Sequence, residues 1–123
     1  MAPTFDHGAA LARNLRDQER AERLSTRDVN RSIPAFVRRA RSAFYQTRND
    51  RKPLSTVDAW LAFAAMVPAA SKAWLSRLQM IDEETIRQVV TPVPEKRMSS
   101  TCCEFTVQLL VENRKRLLAG DRR

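Results

Sequence analysis

Gly8 and Gly120 are the only glycines in 123 residues, and no other feature narrows the possible folds so far. Phosphate-cradling loops, tight hairpins and barrels depend on backbone at positive φ, which glycine adopts freely and other residues avoid. What remains is helix joined by Pro- and Ser-containing stops, so the chain reads as all-α with about six helices in one domain. A complete nucleotide-binding enzyme is hard to fit into it. The 43% hydrophobic content suffices for a single core that excludes solvent. No run approaches the roughly 20 apolar residues of a bilayer span. Residues 1–30 show no basic start, apolar stretch and cleavage site in that order, and the expected location is the cytoplasm.

Periodicity and caps place the helices. Pro3 to Gly8 reads as a loop, followed by a short helix from Ala9 to Arg13 and a charged one from Arg16 to Leu24. From Asp28 to Phe44, Val29, Ile33, Phe36, Val37, Ala40 and Phe44 recur at spacings of three and four, which predicts one long one-sided helix. Pro34 either breaks its first turn or marks its true start. Gln46 to Pro53 is polar and predicts an exposed loop. Ser55 with Asp58 fits an N-cap, and the helix it opens, Val57 to Val67, is so uniformly apolar that it reads as the central, buried one until Pro68 ends it. Ser71 to Met80 predicts a helix with Trp74, Leu75 and Leu78 inward. Asp82 caps Glu83 to Val90, and Thr91-Pro92-Val93-Pro94 is an extended stop. Ser100 or Thr101 begins the last long helix, with Thr101 and Glu104 at capping-box spacing and Gly120 as its stop.

Little of the usual enzyme chemistry can be assembled from these residues. Cys102 and Cys103 are neighbours, which rarely bridge, and with the single histidine, His7, they fall short of a zinc ligand set. A helix N-terminus favours a thiolate, although buried structural cysteine is the commoner state. Asp82, Glu83 and Glu84 are first-turn carboxylates of the kind that the helix dipole favours. Charge is more informative. The net +8 is concentrated in residues 1–54, which hold 12 basic and 6 acidic side chains, and arginine supplies 18 of the 22 cations. Arginine suits bidentate phosphate binding, and Asp28 to Phe44 would be the arginine-bearing helix of a DNA-reading module. Coding composition and ordinary solvated faces produce the same bias.

The opening segment carries the most specific signal. Ala2-Pro3-Thr4-Phe5-Asp6-His7-Gly8-Ala9-Ala10-Leu11 resembles a segment of the HipA-like serine/threonine kinase family, in which a small residue, Pro, Ser or Thr, an aromatic and Asp-His precede a small-residue helix start. Arg41-Ser42-Ala43-Phe44-Tyr45, Leu54-Ser55, Trp74-Leu75 with Leu78, Val93-Pro94 with Met98-Ser99, and Glu104-Phe105 before Asn113 follow in the order found in that family's helical C-terminal part. The likeness spans residues 1–123. It implies the fold of that C-terminal lobe, an intact kinase that transfers phosphate from ATP to protein with Mg, and Asp6 as the magnesium-ligand position.

The family's phosphate loop, nucleotide lysine and catalytic loop lie upstream of the segment matching residues 2–11. Phosphoryl transfer needs several such groups acting together, so this chain by itself is expected to be inactive and to bind neither Mg nor ATP tightly. Met1 stands where the family has leucine, which points to a start inside a longer reading frame or to a truncated copy. The implied partners are the missing N-terminal part of the kinase or an antitoxin protein. Separation from that part predicts an exposed apolar patch near Phe5, Leu11 and the Trp60 helix. The alternative is a stand-alone basic helical module that binds nucleic acid or a partner protein.

Overall fold

The structure is a computed structural model that describes residues 11–120. Within them run six helices: α1 (Asp17–Ser25), α2 (Ile33–Arg39), α3 (Thr56–Met66), α4 (Pro68–Gln79), α5 (Glu83–Val90) and α6 (Ser100–Gly120). The described residues contain no strand beyond one isolated antiparallel bridge, Arg41 to Ser55. The all-α expectation is met.

Local capping sets most of the boundaries. The Ser55 hydroxyl accepts the Asp58 N–H at 3.1 Å and donates to the Asp58 carboxylate at 2.6 Å, so α3 starts where its cap chemistry places it. Asp82 accepts the Thr85 N–H at 2.8 Å and opens α5 in the same way. Pro68 stops α3 and also becomes the first residue of α4, a position where the missing N–H has no intrahelical partner to lose.

The long helix expected over Asp28 to Phe44 is corrected to the seven residues of α2. Its start moves because Asp28 turns its carboxylate onto the Asn30 N–H at 2.9 Å, and Ser32 then caps ahead of Pro34, accepting the Ala35 N–H at 3.4 Å. Its end moves because another segment takes the backbone groups. Ser42 N–H donates to the Leu54 carbonyl (2.9 Å), Leu54 N–H to Phe44 (2.7 Å) and Thr56 N–H to Ala40 (3.3 Å). Residues 40–44 are thereby drawn out beside 54–56, an arrangement that local periodicity does not encode.

The centre of the molecule is also corrected. It is α6, 21 residues long, that packs against all five other helices. At 1.5 Å per residue it extends about 31 Å, long enough to reach each of them. On one side Phe105 and Leu109 join Ile33 and Val37 of α2, with Leu15, Leu24 and Phe36 around them. On another, Val107 meets Ile86 and Val90 of α5, with Met98, Cys103 and Val111 alongside. Near its end Gly120 lies so close to α3 that a Cβ there would sit 2.8 Å from Leu61 Cδ2. That approach accounts for a glycine within α6, which the helical structure includes as its last described residue.

α3 buries only Val57 and Ala59 fully, and Phe63, Met66 and the following Val67 are exposed. On α4, Leu75 is buried but Trp74, expected inward, is 55% exposed, with the Arg77 guanidinium over its ring at 5.2 Å from the centroid, a cation–π contact. Around the Trp60 helix, where an apolar patch was expected, α3 and α4 thus carry exposed apolar side chains. Leu11 is exposed as well, and Phe5 lies outside the described residues.

Candidate functional site

Asp6, the magnesium-ligand position implied by resemblance, lies outside the described residues together with Phe5 and His7. The concave surface next along the chain is a cleft of about 490 Å³ between residues 11–20, the turn at 95–99 and the start of α6. Leu11, Arg13, Asp17, Arg20, Arg97 and Cys102 are among its lining residues.

Arg20 organises this cleft. It is 8% exposed, and its guanidinium donates to the Asp17 carboxylate at 2.6 Å and to the Ala12 and Arg13 carbonyls at 3.3 and 3.2 Å. Its buried Nε has no hydrogen-bond partner. The turn it grips is unusual, because Leu11 and Ala12 take φ of 57° and 58°, a region that a Cβ disfavours. The Ser99 side chain first, and Arg20 second, hold the Asp17 carboxyl below the usual range. Ser99 also caps α6, accepting the Cys102 N–H at 3.1 Å. The capping role expected of Thr101 and Glu104 is thus filled by a residue further upstream. A chain of polar contacts runs from the 11–14 turn through Arg20, Asp17 and Ser99 to the first turn of α6.

These contacts decide what the cleft can do. Asp17 is already committed to Arg20 and Ser99, so it is not a free second ligand for a magnesium ion. Among the described residues no three His, Cys, Asp or Glu side chains gather where a metal ion could sit. Cys102 and Cys103 are free and half-buried; Cys103 packs with the α5 cluster. Asp82, Glu83 and Glu84 form no centre: Asp82 caps, Glu83 pairs with Arg87 at 2.7 Å, and Glu84 accepts from Gln88 at 3.2 Å.

A DNA-reading helix is not formed by Asp28 to Phe44. α2 buries Ile33, Ala35 and Val37, and carries only Arg38 and Arg39 at its end. Arg31 lies ahead of it, paired with Glu22 at 2.5 Å, and Arg41 lies beyond it in the bridge.

Arg87 was not singled out by spacing, yet it ties α5 to α6. It reaches Glu83 at 2.7 Å and both oxygens of Glu104 at 2.7 and 3.0 Å. The Arg87 bonds, then Gln108, hold the Glu104 carboxyl below its ordinary value, and Arg87 is itself shifted up by Glu104 and Glu83. A carboxylate with a depressed folded pKa adds stability above its unfolded pKa and loses it as pH falls through the folded value. Arg87→Ala is therefore expected to lower the unfolding temperature near neutral pH, by an amount kept small by solvent screening of these half-exposed groups. The difference shrinks below pH 4.5, the ordinary Glu104 value. Thermal unfolding of both proteins across that range checks it; an unchanged gap at low pH would show that the pair is not responsible.

No helix of the described residues is long and apolar enough to cross a membrane. Comparison with family models, with curated proteins and with solved structures finds no match to this chain.

Proposed function

We propose that this chain is the C-terminal helical part of a HipA-like serine/threonine kinase of the toxin-antitoxin type, acting in the cytoplasm and inactive alone. The observation that carries the reading is the segment Ala2 to Leu11, with Asp6-His7 at its centre, followed by the family-like residues in order as far as Asn113. In the intact kinase Asp6 holds magnesium on the ATP phosphates, where the cation neutralises charge during transfer. Neither Mg nor ATP binds this chain tightly, because one carboxylate cannot assemble that site.

The fold supports the reading through its open apolar face. Phe63, Met66, Val67 and Trp74 are exposed on the neighbouring helices α3 and α4, the character of a surface that seats against another part of a protein. On this reading the N-terminal part of the kinase, or an antitoxin protein, is the partner.

The test reads the source DNA in frame ahead of the Met1 codon and expresses the longer product. The expected result is an upstream phosphate loop, lysine and catalytic loop, and an ATP-dependent phosphorylation of protein that Asp6→Asn abolishes. A stop codon close to Met1, or a longer product whose activity ignores Asp6→Asn, would overturn the proposal.

A further inference from the structure

Two sets of cations in this chain stand in different surroundings. Arg20, Arg31 and Arg87 each meet a carboxylate, and Arg23 lies over the Phe36 ring at 4.8 Å. By contrast Arg38, Arg41, Arg48, Arg51 and Lys52 are all exposed, and no ion pair joins any of them to a carboxylate among the described residues. These five lie within fifteen residues of sequence that hold a single acid, Asp50.

The fold gathers four of them. The ladder that ends α2 lays residues 40–44 antiparallel to 54–56, which closes the 45–53 loop at its base, so Arg48, Arg51 and Lys52 are carried on one closed loop next to the bridge that holds Arg41. Asp50 does not neutralise the cations, because it is turned into its own loop, accepting the Thr47 N–H at 3.0 Å and the Thr47 hydroxyl at 2.7 Å. Phe44 packs edge-on against Phe63 of α3, with ring centres 4.9 Å apart, and pins the loop to the helical body. The next residue, Tyr45, opens the loop half exposed and makes no ring contact of its own among the described residues.

We infer that this loop and the bridge at its base form a binding surface for single-stranded nucleic acid, with Arg41, Arg48, Arg51 and Lys52 on the phosphodiester backbone and Tyr45 stacking on an unpaired base. Unpaired guanidinium groups around an open aromatic ring are the combination that holds a single strand without reading its sequence. A duplex fits less well. α2 has seven residues and is buried along one side, so no helix here enters a groove. An anionic membrane would call for an amphipathic helix with its apolar side free beside the charges, whereas here the cations sit on a polar loop. The inference is independent of the kinase reading.

Fluorescence anisotropy of the whole chain with a labelled mixed-sequence single-stranded DNA, titrated at several salt concentrations, provides the test. Four contacts predict a slope of log affinity against log salt of about −3. Arg48→Ala/Arg51→Ala/Lys52→Ala should reduce that slope by about 2. Tyr45→Ala should weaken binding about tenfold while the slope stays the same. Lys72→Ala/Lys115→Ala, changing two exposed cations on α4 and α6, should leave both unchanged. Circular dichroism shows that each variant keeps its helices. Undetectable binding at low salt, a slope that ignores the triple substitution, tighter binding to the matching duplex, or preference for anionic vesicles would overturn the inference.

Discussion

Phe105→Ala lowers the free energy of unfolding by about 3–5 kcal/mol, a large share of the roughly 5–15 kcal/mol that holds a domain folded. Phe105 is 0% exposed and lies in the second turn of the one helix that every other helix touches. Its ring meets Phe36 edge to face with centroids 5.9 Å apart, and it shares a cluster with Ile33, Val37 and Leu109. Removing the ring forfeits the burial of its apolar surface and leaves a cavity that helices anchored on both flanks cannot close. Urea unfolding followed by helical circular dichroism measures the effect. Phe105→Leu, which keeps most of the volume, should cost less than half as much. A loss below about 1 kcal/mol for the alanine variant would mean that α6 is not the centre of the core.

Arg20→Ala should cost about 2–3 kcal/mol, more than is usual for an arginine, because its three partners are lost together. The Asp17 carboxylate is half exposed and regains water. The Ala12 and Arg13 carbonyls lose the donor that holds a turn with two non-glycine residues at positive φ. The 11–14 turn should therefore release first, seen as faster chymotryptic cleavage near Leu11 and Leu15 under conditions in which the helices stay intact. Arg20→Lys retains the charge but not the fork and cannot span all three acceptors, so it should recover only part of the loss. Full recovery by lysine, or no change in cleavage, would show that charge alone or packing alone explains Arg20.

Features written within a few residues were legible. The Ser55 and Asp82 caps, the stop at Pro68 and the start of the last helix at Ser100 depend on a hydroxyl, a carboxylate or a missing N–H acting over three or four positions. Three expectations failed for one shared reason. Ala40 and Phe44 continue a helical spacing, but their backbone is bonded to residues 54–56. Val57 to Val67 is the most uniformly apolar stretch, yet uniformity offers no preferred side, and the longer α6 took the centre. Glu104 sits at capping distance from Thr101, but Arg87, 17 residues earlier, holds it in a two-oxygen grip.

The candidate site divides similarly. Asp6 was marked by resemblance and lies outside the described residues. Arg20 could have been paired with Asp17 from their spacing of three, but nothing nearby in sequence says that it is buried or that it reaches back to the carbonyls of residues 12 and 13. The cations of residues 41–52 were visible as charge, and the ladder between 40–44 and 54–56 closes the loop that carries three of them beside Arg41.

By itself the sequence determined the helical class, through the scarcity of glycine and the three-and-four spacing of apolar residues, and it determined the helix starts that have caps. Only the tertiary structure decided which helix is central, which arginines are partnered and which apolar face is left open. Caps and periodicity act between residues a few positions apart, where chain connectivity already holds the partners together. Burial and ion pairing depend on distant segments that meet only after the chain has closed, and there the best-packed arrangement overrides local preference.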